Sequence, residues 1–225
     1  MAYDPRSISF SAEILYPPTP LRADLAQGVH NALFQKPAFG YQSFQIAPDA
    51  VHMTNMPHAP GQISSLSFHS DRLIVREEFR GTTIEDFATR VVNVAGASMS
   101  TLAIPMSIAQ QFCVRSLINP KHRDGRDFLA HKLLARGDAL AGFGRPLQGL
   151  GLRIAFPPSE QDRALHQVRV ESWPQDPRSL WLEVTSTYPG AIPTAQLPQV
   201  ADLLYATYAF LCGPVADYLA AHDQP

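Results

Sequence analysis

Ile8, Phe10, Ala12 and Ile14 alternate with Ser7, Ser9, Ser11 and Glu13, a period of two that predicts a strand with one apolar and one polar face. The period then lengthens. Behind Thr19-Pro20, Leu21, Leu25, Val29, Ala32 and Leu33 recur at helical spacing, which predicts a helix capped by Thr19, with proline in its first turn, running to about Phe34. From Tyr41 to Ile46, Val51 to Thr54, Ile63 to Phe68 and Leu73 to Phe79, short strand-like runs are separated by Pro48-Asp49, Pro57 to Gly61 and Ser70-Asp71. These turn residues predict an antiparallel meander. Thr83 followed by Glu85 and Asp86 reads as a helix cap with acids in the first turn, and Ile84, Phe87, Val91, Val94 and Ala95 form its apolar stripe.

After Ile104-Pro105 the order begins again. Ser107 to Leu117 reads as a strand, Asp124 to Arg136 as a helix, and Leu147 to Phe156, Ala164 to Glu171 and Ser179 to Thr187 as three more strands. A long apolar helix from about Gln196 closes the chain, with Gly213-Pro214 expected to break it before a last turn near Leu219. Slid against itself by 100 residues, the chain places Ser7, Ile8, Pro20, Asp24 and Leu33 on Ser107, Ile108, Pro120, Asp124 and Leu133, and the alternation of the first strand stays in step with its counterpart. The expected fold is α+β: duplicated strand, helix, antiparallel meander, helix units, about 5–103 and 104–221, forming one curved and mainly antiparallel sheet with the helices on one face. Joining the halves edge to edge in a single body hides strand edges that each half would expose.

Composition narrows the class. With 45% hydrophobic residues, 18 basic against 20 acidic side chains and two cysteines among 225 residues, the chain is neither disordered, disulfide-stapled nor coated with positive charge for nucleic acid. Its longest apolar stretches are expected to fall well short of a bilayer span. The start, Met1 to Arg6, lacks the layout of a secretory signal, so the expectation is a cytoplasmic protein without a membrane anchor. Cys113 and Cys212, flanked by Phe112, Val114 and Leu211, are expected to be reduced, buried thiols.

The run Cys113-Val114-Arg115-Ser116-Leu117-Ile118-Asn119, the late strand Leu182-Glu183-Val184 and the helix Leu197 to Leu211 resemble a sporadically distributed family of uncharacterised bacterial proteins. In that family a central strand ends in an Arg-x-x-x-Asn motif, here with Ser116 where an aromatic residue would follow the arginine. The duplicated layout is also similar in outline to TATA-binding-protein-like and helix-grip folds. The resemblance implies no reaction; a scattered distribution implies association with mobile or defence genes.

Several constellations suggest chemistry. His52, His58, His69 and Asp71 lie on one meander and could supply a metal-assisted hydrolase, although no helical His-x-x-x-His or Cys-x-x-Cys accompanies them. Lys121, Arg123 and Arg126 stand where Asn119-Pro120 enters a helix, a place for an anion; the plainer reading is a helix capped by Asp124. The glycines from Gly142 to Gly151 precede a strand and lack a dinucleotide fingerprint. No cofactor is expected. The leading candidate is the polar face of the sheet. If Leu150, Leu152, Ile154 and Phe156 face the helices, Arg153 points away, together with Arg76, Glu78, Arg169, Glu171, Glu183 and Trp181. An Arg/Glu face with an aromatic residue suits a small polar ligand, a protein partner or a second copy in a homodimer. The expected function is therefore non-enzymatic binding, with the hydrolase and a nucleic-acid-binding protein as alternatives.

Overall fold

Strand β1 (Arg6–Leu15) lies at the centre of a sheet whose two flanks are supplied by the two halves of the chain. The computed structural model describes residues 3–36, 38–122, 124–135 and 137–223. After β1 come α1 (Ala23–Phe34), the meander β2 (Ser43–Ile46), β3 (Val51–Thr54), β4 (Ile63–Phe68) and β5 (Arg72–Glu78), and then α2 (Ile84–Thr101). The second half runs β6 (Met106–Ile118), α3 (Gly125–Asp127), a π-helical turn over Phe128–Leu133, α4 (Gly137–Ala141), β7 (Gly151–Phe156), β8 (Leu165–Ser172) and β9 (Leu180–Pro193). It closes with α5 (Gln199–Phe210), a second π turn over Leu211–Val215 and α6 (Ala216–His222). The nine strands form one open sheet in the order β2-β3-β4-β5-β1-β6-β9-β8-β7, with every pairing antiparallel. This is an α+β protein with an antiparallel sheet.

Register explains where the core sits. Met53, Leu66, Val75, Ala12, Phe112 and Ser186 are direct cross-strand partners from β3 to β9, and all six are 0% exposed. Helices cover that side. Phe10 stacks on Phe87 of α2 at 5.3 Å, His30 of α1 meets Phe44 at 5.5 Å, and Tyr188 on β9 bonds Thr207 of α5. Burying side chains such as Phe87 and Phe112 stabilises the fold by about 1.5–3 kcal/mol each. The stripe foreseen for α2 is fully buried, from Ile84 to Ala95, and Thr83 caps it by accepting from the Asp86 amide.

Four local expectations are corrected. Thr19 and Pro20 precede the first helix rather than start it: Thr19 Oγ1 donates to the Pro17 carbonyl, and α1 begins at Ala23 with Ala26, Val29 and Leu33 inward and Ala32 exposed. The strand expected from Leu147 begins at Gly151. The helix expected from Asp124 to Arg136 has only three α residues before its π turn; Arg136 itself lies outside the described residues. Gly213-Pro214 does not break the last helix, because the π turn, with Ala216 N–H bonding Leu211 C=O, carries the chain past the proline. The result is a continuous 24-residue helix, Gln199–His222, long and apolar enough to cross a membrane by length and composition. Here Val200, Leu204, Thr207, Leu211, Val215 and Leu219 are buried within the protein.

Candidate functional site

The uncovered face of the sheet carries its polar residues in register. Glu78, Ser9, Arg115, Glu183, Arg169 and Arg153 are successive cross-strand partners from β5 to β7. A neighbouring row runs Arg6, Leu117, Trp181, Glu171 and Gly151, and another holds Arg76, Ser11, Cys113 and Thr185. Alternation along each strand puts these residues on one side. The order of the strands makes them neighbours.

The charges interlock. Arg115 reaches Glu183 at 2.7 Å and Glu78 at 3.4 Å, Glu78 lies 3.5 Å from Arg76, and Arg169 bridges Glu171 at 2.7 Å and Glu183 at 3.3 Å. Trp181 packs beneath two guanidinium groups, 5.0 Å from that of Arg169 and 5.9 Å from that of Arg115. Exposure separates two roles. The Glu183 side chain is 11% exposed, whereas those of Arg76, Arg169 and Glu171 are at 45%, 40% and 40%. The outer pairs contribute about 0–1 kcal/mol each. Glu183, held between two arginines, is a structural pivot whose partners cannot be removed cheaply. Glu171 leans into space left by Gly151, where a Cβ would sit 2.8 Å from Glu171 Cγ.

Cys113 sits on the same face. Burial, reinforced by the charge of Glu183, pushes its thiol up to about 11, so it is protonated near neutrality and is no nucleophile there. It and Cys212 are free thiols, but half-buried rather than fully buried.

All seven residues expected on the polar face are there by register. Arg153 stands apart from the charge network, donating to Gln167 at 2.6 Å. Arg115 was missed at the sequence level, where it figured only in the Arg-x-x-x-Asn motif. The signal was present: with Phe112 and Val114 inward, Cys113 and Arg115 must point out. Asn119, the other end of that motif, accepts from Ser179 Oγ.

The other constellations do not assemble. His52 bonds Ser67 at 2.9 Å and lies 6.4 Å, ring to ring, from His69, while Asp71 pairs with Arg72 and His58 sits in the Pro57–Gly61 turn. Among the described residues no three His, Cys, Asp or Glu side chains gather at metal-ligand distance. At the proposed anion site, Arg126 folds back onto Asp124 at 2.6 Å, and Asp124 caps Arg126 and Asp127. Lys121 contributes its amide to Asp223, and Arg123 lies outside the described residues. One arrangement was unforeseen: His166 bonds Ser186 and Asp162, both at 2.7 Å. It has the members of a hydrolytic triad, but Ser186 is 0% exposed and binds Nδ1 rather than Nε2, so the set ties β8 to β9 instead of presenting a nucleophile.

The fold and face thus define a class: an α+β protein with an open antiparallel sheet, helices on its apolar side and an ionic network on the other. Set against known proteins, the chain matches no family model and no curated protein.

Proposed function

We propose that this protein is a non-enzymatic, cytoplasmic binding module that docks a protein surface on the open face of its sheet, and that the occupant is a second copy of the same chain. The observation that carries this reading is the registered row of mixed charge, with Glu78 at its β5 end and Arg153 at its β7 end. A two-fold axis parallel to the strands and midway between β6 and β9 would set Arg115 against Glu183, Glu78 against Arg153 and Arg6 against Glu171 of the other copy, with Leu117 against Trp181 at the centre. An isologous interface requires such self-complementarity, and an aromatic centre with an ionic rim is the usual anatomy of a binding patch. Mixed charge also suits a protein surface better than a phosphate backbone, which favours unbroken positive charge.

The strand pairings support descent of the halves from one copied unit. β1 and β6 lie side by side, and their pairings are interrupted at Ile8 and Ile108, the two residues that coincide when the halves are aligned.

Sedimentation velocity over a concentration series tests the reading. The expected result is a monomer–dimer equilibrium that Arg153→Glu weakens at least tenfold, and that mixing the Arg153→Glu chain with a Glu78→Arg chain restores. Among the described residues Arg153 has only Gln167 as a hydrogen-bond partner, so thermal stability should stay within about 0.5 kcal/mol. A wild-type chain that remains monomeric throughout, or a dimer indifferent to these charges, overturns it.

A further inference from the structure

The closing helix and the outer strands β7 and β8 leave a space between them. It is a cavity of about 450 Å³, with Ile154, Val168 and Val170 of the sheet on one side and Phe210, Val215 and Tyr218 of the helix on the other. Val168, Val170 and Val215 are buried, whereas Phe156 and Tyr218, 41% and 40% exposed, lie toward its mouth. Pro214 also borders the space. The π turn that carries the helix past this proline sets its ring on the same wall, and such turns recur at functional sites.

The aromatic wall is fixed from behind. Phe210 meets Phe156 edge to face at 5.8 Å and lies parallel to His166 at 4.1 Å, with 8° between the rings. His166 is itself held at both ring nitrogens, by Ser186 and by Asp162, each at 2.7 Å. The buried His-Ser-Asp set thus restrains Phe210, and a preformed wall lowers the ordering cost of binding. Among the described residues, the side chains that border the cavity are aliphatic or aromatic, with the Tyr218 hydroxyl as their one polar group. A charged ligand would be desolvated there without a partner. Leaving an apolar concavity to water is unfavourable, and the size and lining are those of a small-molecule site. Three aromatic rings and a proline ring favour a flat occupant, because stacked and edge-to-face contacts add to simple burial.

We propose that this cavity binds an uncharged aromatic small molecule of about the size of indole, its ring against Phe156 and Phe210 and any polar group directed to the mouth, where Tyr218 lies. The site is independent of the open face, since the cross-strand pair Ile154 and Val168 points to the opposite side of the sheet from the pair Arg153 and Arg169.

The test is a titration of the full chain, methyl-labelled at isoleucine and valine, with indole and, at matched ionic strength, with sodium indole-3-acetate. Saturable shifts of the Ile154, Val168, Val170 and Val215 methyl signals are expected with indole. Those of Val51, buried toward the other end of the sheet, should not move. The carboxylate should bind at least tenfold more weakly, because its charge finds no partner in the cavity. Ile154→Trp, at a half-buried position, fills the space and should abolish the shifts of the remaining methyl groups. Shifts that do not saturate, that spread to Val51, that indole-3-acetate produces as tightly, or that persist in a folded Ile154→Trp variant overturn the proposal. Should that variant not fold, the wild-type comparison of indole with indole-3-acetate decides alone.

Discussion

Trp181, beneath the guanidinium groups of Arg115 and Arg169, shows how one side chain can organise several. Its indole offers both arginines a flat, weakly hydrated surface, which holds them in reach of Glu183 and restrains their rotamers. Trp181→Ala should therefore cost about 1 kcal/mol or more of stability in urea unfolding and loosen the face as well. Cys113 yields a second test. With its thiol at about 11 against an ordinary 9.0, the thiolate fraction at pH 8 is roughly a hundredfold below that of a free cysteine. Alkylation of Cys113 followed by mass spectrometry should be slower by a similar factor; labelling at the rate of a free thiol would contradict the burial described. Asp124 concerns pH. Its carboxylate, hydrogen-bonded by the Arg126 guanidinium and by the amides of Arg126 and Asp127, is held near 2 instead of 3.8. A depressed folded-state value stabilises the protein above the unfolded value, and that contribution disappears as pH falls through the folded one. Asn can replace Asp as a helix cap, so the stability gap between wild type and Asp124→Asn comes from the partly exposed ion pair with Arg126; it should be up to about 1 kcal/mol at neutral pH and should close between pH 3.8 and 2.

At the scale of elements, two glycines separate packing from positioning. A Cβ at Gly125 would meet Leu180 Cδ2 and the Ser179 carbonyl, both at 3.0 Å, where neither the core nor the β9 backbone can readily yield. Gly125→Ala should destabilise the protein by about 1–3 kcal/mol, measured by denaturant unfolding. At Gly151 the obstacle is the flexible Glu171 side chain. Gly151→Ala should leave stability within about 0.5 kcal/mol while moving Glu171 away from Arg169 and weakening association. Periodicity made the existence of these elements legible, and it read the inward stripe of α2 residue by residue. It read the helix starts and interruptions less well. Thr19-Pro20 has the residue types of a cap without the geometry, because the chain there is tied to the Ser70 carbonyl by the Thr19 amide. Gly213-Pro214 has the residue types of a break, yet the apolar stripe on both sides is buried in the same core, and a π turn accommodates the proline at less cost than exposing that stripe.

For the whole molecule, the antiparallel sheet and its helix-covered side follow from strands with one apolar face that must be covered. Cross-strand rows are a property of the assembly. Arg153, Arg169, Glu183 and Glu78 could each be assigned to the polar side one strand at a time, but their alignment depends on β9 lying between β6 and β8, and on β1 lying between β5 and β6.

Alternation is written in local order along the chain, so the residues themselves determined which side of each strand is apolar, that the fold is α+β, and that arginine and glutamate share the polar side. Only the tertiary structure decided that Arg115 would meet Glu183, that Trp181 would lie beneath two cations, and that Phe156 and Phe210 would meet at one cavity. The reason is physical: side-chain direction is set by the backbone period of a single strand, whereas neighbour and register are set by the packing of the entire core, to which distant residues contribute.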